Sequence, residues 1–208
     1  MEVEMKFSRN VIFAVFFIFY ASSSYAYLIQ DFSSWYNQDQ SFTHSGSSTT
    51  VTASYDVHLG NRFDGVPIGM LSKITVNDFY RAGTAGIGMT LGEINGKEVM
   101  VNIGLRASEY FSEIYYQIRL KEGNNLEDVA YGRFGGGNEP VIGNEFYVGM
   151  ARFGDEIWML VDGYSLVKWS PLSQMNHIPT NTWLWAWGNE AIEGQINATF
   201  SDVFIINP

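Results

Sequence analysis

The sequence predicts an all-β protein, a two-sheet antiparallel β-sandwich, and three observations predict it. Apolar residues recur at every second position through most of the chain, and no long stretch keeps a 3.6-residue apolar period. Tight-turn dipeptides join neighbouring segments: Asn95-Gly96, Gly154-Asp155 and Asp162-Gly163 supply the positive φ angles that two-residue hairpins require. Prolines are confined to stretches between the alternating segments, as in "NEPVIG" and "WSPLSQMNHIPT", where a missing N–H breaks no ladder.

The chain opens on a leader. Lys6 and Arg9 precede an apolar run from Val11 to Tyr20 and then small residues, the pattern of a secretory signal peptide. Ser24-Tyr25-Ala26 puts small residues at −3 and −1. Cleavage is therefore expected after Ala26, leaving residues 1–26 as signal peptide and 27–208 as one domain. The apolar run is short of the roughly 20 residues a bilayer span needs. A secreted protein, periplasmic or extracellular, with no membrane span after cleavage is the expectation.

Cysteine is absent, which removes disulfides, thiolate metal sites and a cysteine nucleophile. Stability must come from the core, and a chain of this size buries on the order of 70 % of its unfolded surface without staples. The net charge of −10 argues against nucleic acid as a partner. It favours solubility, neutral ligands or divalent cations.

Taken in order, "TTVTASYDVHL" sets Val51, Ala53, Tyr55, Val57 and Leu59 one way and Thr50, Thr52, Ser54, Asp56 and His58 the other, as a half-buried strand does. "EVMVNIGL" repeats the pattern with Val99, Val101, Ile103 and Leu105, and "EIYYQIRLK" with Ile114, Tyr116, Ile118 and Leu120. The glycines of "GTAGIGMTLG" lack the context of a phosphate loop and are read as relieving packing or marking a bulge. "FYVGMARFGDEIWMLVDGYSLVKW" reads as a three-strand meander. Across its second turn Met159 is expected beside Leu166, and Trp158 beside Val167. Neither "HSGSSTT" nor "RFGGGNEP" is long enough to separate domains.

The "RFGDEIWMLVDG" centre of the meander resembles the central hairpins of the concanavalin A-like lectin and glucanase superfamily, where strand, tight turn, strand and Asp-Gly turn follow in that order. "LIQDFSSWY" and "ATFSDVFII" are similar to the first and last strands of such domains. The resemblance implies a jelly roll with a concave groove. It also implies structural calcium near the joined chain ends, with Asp31 and Asp202 as candidate ligands; a cage of six or more oxygens needs more than these two. Glycosidases of the superfamily carry Glu-x-Asp-x-x-Glu on one strand, and no such string occurs here. "YFSEIYYQIRL" is similar to the Tyr- and Gln-bearing strands of jelly-roll alginate lyases, which pair a tyrosine with a histidine. Arg119 stands where that comparison wants the histidine, and His44, His58 and His177 are scattered. No catalytic residue is assigned.

The segment "TWLWAWGNE" sets Trp183, Trp185 and Trp187 on one face of a strand, with Thr182, Leu184, Ala186 and Gly188 opposite. Both faces are largely apolar, although a strand in a two-layer sandwich has only one covered face. Two readings follow: the indoles fill the core, or they line a groove where sugar rings lay apolar C–H faces on them. In the second reading Asn189, Glu190, Tyr115, Gln117 and Arg119 supply polar contacts. The expected function is that of a lectin-like, non-catalytic carbohydrate-binding protein whose partner is a polysaccharide or other glycan. Its rivals are a polysaccharide-degrading hydrolase or lyase of the same fold and a structural envelope or matrix protein.

Overall fold

A computed structural model describes residues 25–63, 65–109, 112–137, 142–162 and 164–207. The chain forms β1 (Tyr25–Leu28), β2 (Tyr36–Asn37), β3 (Phe42–Ser45), β4 (Ser48–Ala53), β5 (Asp56–Phe63), β6 (Gly69–Tyr80), β7 (Ala82–Ile94) and β8 (Lys97–Ser108). It continues through β9 (Ser112–Glu122), β10 (Asn125–Gly137), β11 (Glu145–Phe153), β12 (Glu156–Val161), β13 (Tyr164–Trp169), β14 (Thr180–Gly188) and β15 (Gln195–Asn207). The first sheet runs β13-β12-β11-β6-β15-β4-β3, with β1 added to β15. The second runs β10-β9-β8-β7-β14-β5-β2. Every strand pairing is antiparallel.

The core lies between the sheets and takes alternate residues from each. Val99, Val101, Ile103 and Leu105 of β8 and Leu184 and Ala186 of β14 meet Met70 and Ile74 of β6, Phe200 and Ile205 of β15, and Met150 of β11, all buried. Each such large apolar side chain contributes about 1.5–3 kcal/mol by leaving water. The expected inward set of β9 holds as well, with Ile118 fully buried and Ile114, Tyr116 and Leu120 packed against the core.

The single strand expected over residues 50–59 is two strands in different sheets: β4 pairs with β15 and β5 with β14. The chain changes sheets at Ser54 and Tyr55, and Tyr55 is exposed. The alternation runs on unbroken because both strands turn their odd-numbered residues, Val51 and Ala53 then Val57 and Leu59, into the same core.

The expected turns at Asn95-Gly96 and Gly154-Asp155 form, with positive φ at Asn95, Gly96 and Gly154; of the third, Asp162 has positive φ and Gly163 lies outside the described residues. The meander β11-β12-β13 is present, but its second hairpin departs from the expected register. Met159 pairs with Val167 and Trp158 with Lys168, because the ladder shifts by one between Met159 and Leu160. A bulge of this kind adds a residue to one strand, and the turn alone does not reveal it. The expected leader lies outside the described residues up to residue 24, and the expected cleavage point after Ala26 falls within β1. Of "LIQDFSSWY", only Leu28 belongs to β1; Phe32 and Trp35 pack into the core beyond it.

One crossing positions β14. The chain leaves β13 at the edge of the first sheet and must reach the middle of the second, so residues 170–179 have almost no ladder of their own. Buried Arg152 satisfies them instead. Its Nη1 donates to the carbonyls of Leu91 and Asn176, both at 3.1 Å, its Nη2 to that of Met175, and its Nε to that of Gly154 at 2.7 Å. Asp155 accepts from the Met175 N–H at 2.9 Å, and Asn176 exchanges backbone bonds with Glu93 beyond a shift in the β7–β8 ladder. Gly92 sits in that shift with φ of 151° and lies against the Asn176 carbonyl, a conformation that favours glycine.

Replacing Arg152 by Met keeps the length of the side chain and strands several buried carbonyls. The expected cost is about 3 kcal/mol or more, read as a lower urea midpoint at unchanged slope.

Candidate functional site

The strand registers set the outer face of the second sheet in rows that run across it. One row reads His58, Trp185, Gly86, Gly104, Tyr115 and Arg133, from β5 to β10. The row on one side reads Gly60, Trp183, Gly88, Asn102, Gln117 and Tyr131, and the row on the other begins Asp56, Trp187, Thr84, Arg106 and Glu113. With Leu184 and Ala186 in the core, the three indoles stand on the opposite face of β14. The sequence left core and groove open; the structure places the row along a groove.

Large rings on a strand's outer face need room, because neighbouring strands lie only about 4.8 Å apart. Glycine provides it. A Cβ on Gly86 would come within 2.6 Å of the Trp185 ring, and one on Gly88 would overlap Trp183 Nε1 and Asn102 Oδ1. The Trp185 indole therefore lies over β7 and meets Tyr115 edge to face, with ring centroids 6.4 Å apart. Trp183 donates its Nε1–H to Asn102 Oδ1 at 3.0 Å. The packing-relief reading of "GTAGIGMTLG" holds at Gly86 and Gly88, and the bulge reading at Gly92.

Polar groups form the β9–β10 side. Asp128 accepts from Arg119 Nε at 2.7 Å and from Gln117 Nε2 at 2.8 Å. Glu113 lies 3.2 Å from Arg106 Nη1 and 3.3 Å from Arg133 Nε. Burial pushes the Tyr115 hydroxyl above its ordinary pKa, so the phenol remains a neutral donor throughout the common pH range. On the β5 side His58 Nε2 lies 3.4 Å from Asp56.

A cleft of about 390 Å³ is lined by Trp185, Trp187, Tyr115, Gln117 and Arg119 among others. It continues into a second hollow of about 740 Å³ that Trp183 lines, with Asp56, His58, Asn102 and Arg119 common to both. Six of the eight expected ligand contacts thus share one groove. Asn189 and Glu190 do not line it; the chain passes into a 3-10 turn at Glu190–Ile192, where the Asn189 N–H bonds to the Ala82 carbonyl. His58 was read only as one of three scattered histidines, and Asn102 and the outer arginines Arg106 and Arg133 were not singled out in the sequence. Period-two parity on β5, β8 and β10 carries that signal once the sheet order is known.

Asp31 and Asp202 each have partners of another kind. Both oxygens of Asp31 accept from Ser33, at 2.9 and 2.7 Å, and these bonds hold its carboxyl below the usual range. Asp202 accepts from the Tyr147 hydroxyl at 3.2 Å and lies 3.5 Å from Lys73 Nζ. Among the described residues no three His, Cys, Asp or Glu side chains gather as a metal site. Two occupied carboxylates do not fit a calcium cage of six or more oxygens.

Comparison of the architecture with solved structures places it. The β-glucanase of Bacillus licheniformis superposes with a TM-score of 0.61 at 7 % identity, over 90 % of this chain and 99 % of its own. The κ-carrageenase of Pseudoalteromonas carrageenovora, solved with an oligotetrasaccharide of κ-carrageenan, gives 0.56 at 12 %, over 88 % and 92 %. The carbohydrate-binding module CBM66 of Bacillus subtilis gives 0.50 at 11 %, over 81 % and 92 %. The fold is that of the concanavalin A-like jelly rolls. No family model matches the chain, and no curated protein matches it in sequence. Identities this low establish the concanavalin A-like fold alone.

Gly88→Ala is expected to displace the Trp183 ring and break its bond to Asn102, with a stability loss of about 1–3 kcal/mol from overpacking. A changed near-ultraviolet dichroism with intact far-ultraviolet spectrum checks it.

Proposed function

We propose that this protein binds a polysaccharide along the outer groove of its second sheet and does not cleave it. The carrying observation is the tryptophan row held on the outer face above Gly86 and Gly88, beside fixed polar groups. Sugar rings combine apolar faces with hydroxyl edges, and a surface that alternates indoles with amide, phenol and guanidinium groups suits both. The fold supports the reading too, since its structural neighbours include a carbohydrate-binding module as well as a β-glucanase and a κ-carrageenase.

The charges of the groove support binding without chemistry. Hydrolysis needs two carboxyls roughly 5–9.5 Å apart, flanking the scissile bond. Here Asp56 and Glu113 stand at opposite ends of one row, four strands and so on the order of 19 Å apart along the backbone. Glu113, Asp128 and Glu98 are each held by a basic side chain. The lyase alternative rests on His58 and Tyr115, which line the same cleft. They too are four strands apart, with Trp185 between them.

Export by the leader expected over residues 1–26 would bring such a groove to its ligands. Among the described residues no helix is long and apolar enough to cross a membrane.

Titration with soluble polysaccharides is expected to give a saturable change in tryptophan fluorescence. Trp185→Ala should weaken binding at least tenfold, about 1.4 kcal/mol. Reducing ends or unsaturated uronates are assayed in the same samples. Release of either would overturn the non-catalytic reading in favour of the hydrolase or the lyase. Silence toward every glycan from the folded protein would favour a structural envelope or matrix role.

A further inference from the structure

We infer that the groove selects acidic polysaccharides, chains whose sugars carry carboxylates or sulfate esters, and that Arg119 and Arg133 read those charges. The inference rests on the glycan-binding reading and narrows it.

Charge distribution is the first ground. A chain with net charge −10 has 12 basic residues, and three of its arginines, Arg106, Arg119 and Arg133, line one cleft. Two carboxylates, Glu113 and Asp128, stand against these three cations on the β9–β10 side. The polar side of the groove is therefore its basic side.

The second ground is how the guanidinium groups are held. Asp128 takes the Nε edge of Arg119, and Glu113 approaches Arg133 from Nε as well. A guanidinium offers five donors in a rigid fork. Fixing the Nε edge from behind leaves the two Nη nitrogens for the cleft that both arginines line. Neither one donates a hydrogen bond from its Nη atoms to a described residue. Paired donors in one plane match two oxygens of a carboxylate or a sulfate, and such charge-assisted pairs are about twice as strong as neutral ones. A sugar hydroxyl offers one oxygen and no charge.

Spacing argues for a polymer. Arg133 stands opposite Tyr115, four residues along β9 from Arg119, on the order of 13 Å at about 3.3 Å per residue. One small anion does not span that distance. A chain lying across Trp185 and Trp187 would present separate charged groups to the two forks.

The test titrates the full chain with polygalacturonate and its methyl ester, and with a sulfated galactan and its desulfated form, matched in length. A neutral β-glucan serves as reference, and calorimetry is the readout. The charged member of at least one pair should bind tenfold or more tighter than its neutral counterpart. Which pair shows the preference tells carboxylate from sulfate. R119Q and R133Q should each erase most of that preference, bringing the charged member down to the affinity of its neutral counterpart. Arg133 is 54 % exposed, so its replacement tests the idea without disturbing the core. K168Q, on the other sheet, should change nothing. Equal binding of charged and neutral members, or a preference that survives both arginine variants, would overturn the inference and leave glycan binding standing. If the folded protein bound none of the polymers, both would fall.

Discussion

The outer groove depends on two indoles finding room on the outer face of a sheet whose strands are less than 5 Å apart. β14 is central in the second sheet, so its inward residues Leu184 and Ala186 are committed to the core and its outward residues must find space above the neighbours. Any side chain at Gly86 or Gly88 would take that space. The glycines weaken β7 as an isolated strand, since glycine is costly to order. The cost is offset where Ile87, Met89 and Ala85 pack inward between them, all fully buried. One strand thus alternates a dense inner face with a nearly bare outer one, and the bare face is what allows aromatic rings to carpet the groove.

The polar half of the groove follows a different logic. Arginine, glutamine and carboxylate side chains on β8, β9 and β10 hold one another in pairs across the ladder, so that Asp128 orients both Gln117 and Arg119 while Glu113 orients Arg106 and Arg133. Groups fixed before a ligand arrives lose less freedom when it binds. The same pairs hold the carboxylates beside the guanidinium groups, so cations and counter-charges are positioned together.

Much of this was legible in the sequence. Alternation and turn dipeptides indicated the sandwich, the meander and the inward sets of β8 and β9, because period two is a direct consequence of strand geometry. Alternation was silent on sheet membership, so Val51 and Leu59 read as one strand although the chain changes sheets between them. It was silent on the bulge that moves Val167 opposite Met159. Tyr115, Gln117 and Arg119 were placed beside the tryptophans on the condition that their strand shares the sheet, and it does. Asn189 and Glu190 were chosen by adjacency in sequence, and adjacency fails where a strand ends and the chain turns away. His58 lies four strands from Tyr115 and 57 positions before it, a relation that only the strand order discloses.

One atom is at odds with this economy. Trp185 Nε1 is buried and, among the described residues, has no hydrogen-bond partner, whereas the same atom of Trp183 is satisfied by Asn102. An unpaired buried donor costs about 1–3 kcal/mol, and such costs concentrate where function demands a geometry that folding alone would not choose. Trp185 is also the indole wedged between a glycine floor and Tyr115, at the centre of the row that joins both walls of the groove. A smaller apolar side chain there would avoid the unpaired N–H and would leave a hollow above Gly86. Trp185 is only 8 % exposed, so what the ring gives the groove is a filled floor between that glycine and Tyr115.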